Sequence, residues 1–226
     1  MNEKSPRTLS DAEIQDAQIG LDKWHIEKLE EEKRILDLEQ GLYKEHIKYL
    51  QEEHGNDPLT GVLTRKAFLA ELDKVFVHPR KETEGTERRH SIEDISLVFI
   101  DLDHFKEVND GEGGHAKGDE VLKKAATLLH SALREGDVIG RLGGDEFVVL
   151  LPNTNEHDAA HVAEKLRGAL DDNPDLGKLH VTGSIGVCSS STSKATTPEE
   201  LIAYADAAMY VAKDAGRNQV SVYKRP

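Results

Sequence analysis

Three carboxylates stand where apolar runs end. Asp101 follows SLVFI, Ser96 to Ile100, while Asp145 and Glu146 sit inside RLGGDEFVVLL, Arg141 to Leu151. Adjacent acids at a tight bend repel each other and add nothing to a core. Carboxylates gathered from two segments raise one another's pKa values unless a cation lies between them. A hard divalent ion such as Mg²⁺ takes oxygen ligands and bridges one or two carboxylates to substrate phosphates. Taken singly, Asp101 reads equally as a turn cap, and the other two acids as solvated side chains.

Their meeting depends on the elements that carry them. DVIGRL and FVVLL flank GGDE, which predicts a β-hairpin with the acids at its tip. SLVFI predicts a buried strand, and the ends of such strands are where α/β folds place ligands. If that strand pairs beside the hairpin, Asp101 faces Asp145 and Glu146. Helices are expected through RKAFLAELDKVF, DEVLKKAATLLHSAL, HDAAHVAEKLRGAL and PEELIAYADAAMYVAKDAG, with further strands in HVTGSIGVC and QVSVY. The fold class is α/β, an α+β sandwich with a central, mostly antiparallel sheet covered by helices. HPRKETEGTERRHSIED reads as a mobile polar loop.

The first 54 residues differ chemically from the rest, and HGNDPLTG marks a boundary between a helical segment, 1–54, and a domain, 55–226. Ile26, Leu29, Leu36, Tyr43, Ile47 and Leu50 fall on the a and d positions of one heptad register, interrupted by Lys33 and Gln40. Ile35, Leu38 and Leu42 offer a competing stripe. The segment is either a pairing helix or one amphipathic helix folded back on the domain.

The formal net charge of −14 argues against coating nucleic acid, whose phosphates need a basic surface. A mononucleotide pocket needs only a few lysines and arginines. Cys188, the one cysteine, forbids an intrachain disulfide and fits a reducing compartment. No segment approaches a membrane span, so a cytoplasmic protein without a membrane partner is expected.

DPLTG, FIDLDHFKEVND, GHAKGD, RLGGDEF, SIGV and YVAKDAGRN, in this order from Asp57 to the C-terminus, closely resemble the GGDEF family of diguanylate cyclases. The resemblance covers about three quarters of the chain. It implies a palm-like fold shared with adenylyl cyclases and the condensation of two GTP into cyclic di-GMP plus pyrophosphate by a homodimer. It implies Mg²⁺ (or Mn²⁺) on Asp101, Asp145 and the Leu102 carbonyl. Asp145 matches the usual proton acceptor, with Glu146 supporting a second metal. His104, Phe105 and Lys106 match a segment that binds terminal phosphates, as do Lys213 and Arg217, expected on one face of the last helix. Asn109 and Asp119 match the residues that read guanine, with His115 in the same motif. Gly143 and Gly144 permit the turn and the close approach of nucleotide. NDGEGGH departs from the family by one extra residue among Gly111, Glu112 and Gly113, which bears on the Asn109–Asp119 spacing. Arg134 and Asp137, in REGD, match an inhibitory site for the product. Two other functions compete: a degenerate member that senses cyclic di-GMP or GTP without turnover, and a helix-driven interaction protein.

Overall fold

The computed structural model describes residues 23–24, 28–41, 55–77 and 94–225. The chain divides into two units, residues 1–50 and 51–226. In the first, residues 28–41 form a helix, α1. Its described surface is exposed throughout, and Leu29, Ile35, Leu36 and Leu38 are all open to solvent. Leu29 and Leu36 lie seven apart on one face; Ile35 and Leu38 lie on another. Ile26, Tyr43, Ile47 and Leu50, the rest of the expected seam, lie outside the described residues, as does most of the polar loop at 78–93.

The second unit is built on six strands: β1 (Leu63–Thr64), β2 (Ile95–Leu102), β3 (Val138–Gly143), β4 (Glu146–Pro152), β5 (Gly183–Ser189) and β6 (Val220–Val222). Their order in the sheet is β1-β3-β4-β2-β5-β6. The four inner strands pair antiparallel, and the two edge strands join parallel. The helices are α2 (Arg65–Val77), α3 (Phe105–Asp110), α4 (Gly114–Ala132), α5 (Glu156–Asp171), α6 (Pro174–Gly177), α7 (Ser190–Ser193) and α8 (Pro198–Asp214). The expected α+β sandwich is what forms. Among the described residues no helix is long and apolar enough to cross a membrane.

β2 is buried along its whole length, because helices cover both faces of the sheet. Side chains alternate across a strand. Val98, Ile100 and Leu102 therefore join Phe147, Val149 and Leu151 in a core capped by α4 and α5. Leu97 and Phe99 join Val148 and Leu150 under α2 and α8. Each fully buried Leu or Phe contributes about 1.5–3 kcal/mol. The same alternation sends Asp101, two residues beyond Phe99, to the α2/α8 face.

α8 lies almost on the sheet at Gly186, where any β-carbon would run into the Ala205 carbonyl and the Met209 amide. Glycine there lets the helix descend and brings its last turn over the end of β2. Thr197 caps the helix start by accepting from the Glu200 amide, with Pro198 in the first turn.

Candidate functional site

Asp101 and Glu146 are direct partners across the β2–β4 ladder, so their side chains leave the same face. Gly144 and Asp145 make the bend between β3 and β4, with Gly144 in the left-handed region at φ 48°. The bend is fastened to β2 by the Leu102 amide, which donates to the Asp145 carbonyl at 3.4 Å. A β-carbon built on Gly143 or Gly144 meets nothing, so the space above the bend is open.

These acids sense one another. Burial raises the Asp101 carboxyl and the Lys213 ammonium bonded to it pulls it back. The charges of Asp145 and Glu146 push it up again, leaving it at about 6. Glu146 is also raised, first by burial, then by Asp145 and by Asp206 of α8. Lys213 reaches Asp101 Oδ2 at 2.8 Å, and Arg65 adds positive charge near Glu146. Among the described residues no three His, Cys, Asp or Glu side chains form a ready cage for a metal. Two carboxylates from adjacent strands nevertheless suit Mg²⁺, which keeps several waters and takes phosphate oxygens as further ligands.

Past β2 the chain turns into α3 through His104, left-handed at φ 61°. His104 Nδ1 lies 2.9 Å from Glu107 Oε1. That hydrogen bond, foremost, holds the Glu107 carboxyl below the ordinary range, with help from the charges of Arg217 and His180. Phe105 is buried, whereas Lys106 is exposed at the start of α3. Lys213 and Arg217 do not share a helix face as the spacing suggested. α8 ends at Asp214, and Gly216 at φ 120° turns the chain into a Schellman stop. There the Arg217 amide donates to the Ala212 carbonyl at 3.1 Å and the Gly216 amide to that of Lys213 at 3.3 Å. Arg217 thus stands in the loop beyond the helix, on the side facing Glu107.

The extra residue of NDGEGGH is taken up in the turn before α4. The Gly114 amide closes a turn on the Gly111 carbonyl at 3.2 Å, and Gly113 and Gly114 both take positive φ. α4 starts at Gly114, five residues before the expected point, so His115 and Asp119 lie one turn apart on an exposed face. Asn109 rests on Gly118, the neighbour of Asp119: a β-carbon at Gly118 would collide with Asn109 Oδ1 and meet Phe105 at 3.2 Å.

Arg134 and Asp137 are bound to each other. Asp137 accepts from the Arg134 amide and Nε, both at 3.1 Å, and its side chain is only 2% exposed against 60% for Arg134. Arg134 Nη2 also donates to the Pro152 carbonyl at 3.0 Å and to Thr154 Oγ1 at 2.7 Å. Beside them lies a cleft of about 290 Å³, also lined by Asn153, Asp158 and Lys165. Asp137, turned inward, orients the arginine; it does not face the cleft with a free carboxylate.

With Asp101 of β2 and the acids of the bend brought to one end of the sheet, residues 55–219 match the family described as "Diguanylate cyclase, GGDEF domain". The chain belongs to the GGDEF family. It is 40% identical over 169 residues to the diguanylate cyclase DgcP of Pseudomonas aeruginosa, covering 74% of this chain and 23% of that protein. It is 38% identical over 169 residues to the response regulator PleD of Caulobacter vibrioides, covering 73% and 35%. Among solved structures it resembles the diguanylate cyclase SiaD of P. aeruginosa in complex with its activator SiaC, with TM-score 0.64 and 33% identity over 92% of this chain and 78% of that one. The coiled coil and GGDEF domain of DgcB from Caulobacter crescentus, in complex with c-di-GMP, matches with TM-score 0.63 and 27% identity over 92% and 98%. The chain spans well under half of DgcP and PleD.

Within this GGDEF domain, three positioning residues escaped the sequence reading. Asp103, 2% exposed, accepts from Thr182 Oγ1 and Ser184 Oγ at 2.7 Å and from the Asn218 amide at 3.1 Å, tying the start of α3 to the loop of Arg217. Arg141 donates twice to the Gly144 carbonyl, at 2.9 and 2.7 Å, and reaches Asp57 Oδ1 at 3.3 Å. Asp57 in turn accepts from the Thr60 amide at 2.8 Å. The bend that carries Asp145 is therefore stapled to the DPLTG turn. Gly118 is the third, through Asn109. Their motifs were visible in sequence, but nothing in residue type or spacing names these partners.

Proposed function

We propose that the chain is an active diguanylate cyclase: two GTP molecules condense into cyclic di-GMP, and two pyrophosphates leave. The observation that carries this reading is the convergence of Asp101, Asp145 and Glu146 at one end of the sheet, with Lys213 compensating their charge. Asp101 and Asp145 would hold Mg²⁺ or Mn²⁺, with the Leu102 carbonyl, and the ion would neutralise charge on the α-phosphate and the leaving pyrophosphate. Asp145 takes the proton from the attacking 3′-hydroxyl. Lys106, Lys213 and Arg217 pair with phosphate oxygens. Asn109 and Asp119 read guanine, since an aspartate accepts from its N1–H and exocyclic amine but finds no such donor pair on adenine.

Each domain holds one GTP, so two copies must face each other; a homodimer assembled through the apolar stripes of α1 meets that need. Cyclic di-GMP feeds back at the Arg134 cleft, where Arg134 and Lys165 supply positive charge and Asp137 aims the arginine. Purified protein is incubated with GTP and either ion, and nucleotides are separated by chromatography. The expected result is cyclic di-GMP and pyrophosphate, both absent without divalent ion and with Asp145→Ala. A folded protein that makes neither with both ions supplied would refute the proposal.

A further inference from the structure

Away from the acidic site, α5 carries two histidines one helical turn apart. His157 and His161 are both exposed, so neither is held for the sake of a core. Residues four apart on a helix are neighbours on one face. Here the rings meet edge to face, with centroids 4.5 Å apart and planes at 83°. Their Nε2 atoms are 3.1 Å apart. That separation suits one N–H···N hydrogen bond. It is also the bite of a chelate: metal–nitrogen bonds of about 2.05 Å put two ligands about 3.3 Å apart in a tetrahedral ion and about 2.9 Å apart at a right angle.

We propose that His157 and His161 form a surface site for a late first-row divalent ion, Zn²⁺, Ni²⁺ or Cu²⁺, bound through both Nε2 atoms. Each neutral imidazole has one N–H; with both protons on Nδ1, both Nε2 lone pairs are free to take one ion. Binding therefore needs a tautomer shift and no change in the helix. The frame is already rigid. Asn155 caps α5 by accepting from the Asp158 amide at 2.9 Å, and Ala159 and Ala163 anchor its inner face in the core. Imidazole suits these ions, whereas Mg²⁺ prefers oxygen, so this site and the acidic one select different metals. Among the described residues no third His, Cys, Asp or Glu side chain joins them. Glu164, on the same face, is held by Arg167 Nε at 2.9 Å. Water fills the remaining positions, and the site is open.

The test uses the whole chain, ¹⁵N-labelled, in excess Mg²⁺ to occupy the oxygen site, titrated with NiCl₂. Paramagnetic broadening of amide signals centred on residues 154–165 is expected. It should vanish from that region in both His157→Gln and His161→Gln, whose metal-free melting temperatures should match that of the parent. Broadening centred on other histidines or on the acidic cluster alone would overturn the assignment. So would a response around α5 that survives in either variant.

Discussion

Replacing Gly118 with alanine probes how Asn109, proposed above to read guanine with Asp119, is held. The new β-carbon would overlap Asn109 Oδ1, lie 3.0 Å from Asn109 Cγ and 3.2 Å from Phe105 Cζ. Asn109 must swing away, because Gly118 is buried within α4 and Phe105 is packed in the core. Two effects on stability oppose each other. Alanine is favoured over glycine in a helix by about 1 kcal/mol, and overpacking costs about 1–3 kcal/mol, so the fold should survive with a modest net loss. The effect on function should be larger. On the proposed guanine contact, losing the Asn109 hydrogen bonds should remove about 1–3 kcal/mol, or roughly 5- to 150-fold in GTP affinity. Because that contact is made equally in ground and transition states, KM should rise while kcat changes little. Steady-state kinetics on Gly118→Ala, Asn109→Ala and the double variant supply the check. The double variant should be no worse than Asn109→Ala alone, since both changes remove one interaction. An unchanged KM in Gly118→Ala, or effects that add in full, would refute the reasoning.

Gly186→Ala should be far more damaging, because its β-carbon meets the backbone of α8, which cannot step aside. A loss of about 3 kcal/mol or more is expected, seen as a fall of several degrees in melting temperature. Asp103→Ala strips acceptors from Thr182, Ser184 and the Asn218 amide, at about 1.5–3 kcal/mol for each bond to the charged group before relaxation. Urea unfolding should show the loss, and kinetics should show weaker GTP binding as the Arg217 loop is freed. Arg141→Met frees the hairpin bend, so turnover should fall and stability should drop by about 2–3 kcal/mol. Asp57 adds a pH signature. Burial raises its carboxyl, but Thr60 and Arg141 outweigh that and hold it below the ordinary range. A depressed carboxyl stabilises the fold above the unfolded pKa and loses that contribution as pH falls through the folded one. The stability gap between parent and Arg141→Met should therefore be flat above about pH 5 and narrow below about pH 4, as read by thermal melts.

The hairpin, the buried strand and the main helices were legible in residue order because their signals are local. GGDE between two apolar β-rich runs has little choice but to bend. SLVFI is apolar at every position because both faces of β2 are covered. α3, α6 and α7 were missed, being four to six residues long and too short for helical periodicity to register. The start of α4 was placed late because GHAKG carries two glycines, residues that a sequence reading assigns to loops. The paired acids could be suspected from type alone, but their meeting rests on a β2–β4 ladder between residues more than 40 positions apart, Asp101 and Glu146.

Order along the chain thus determined which chemistry this protein carries and which segments carry it. Packing decided the rest. Gly186 lets α8 settle on the sheet, bringing Lys213 to Asp101, and the helix stop at Gly216 moves Arg217 off the face that spacing had assigned it. Arg134 was turned onto Asp137, and Asn109 was laid against Gly118 despite the extra loop residue. Residue types and local propensities act over a few positions. Distances between side chains far apart in sequence follow from how helices and strands fill one core, which no short stretch encodes.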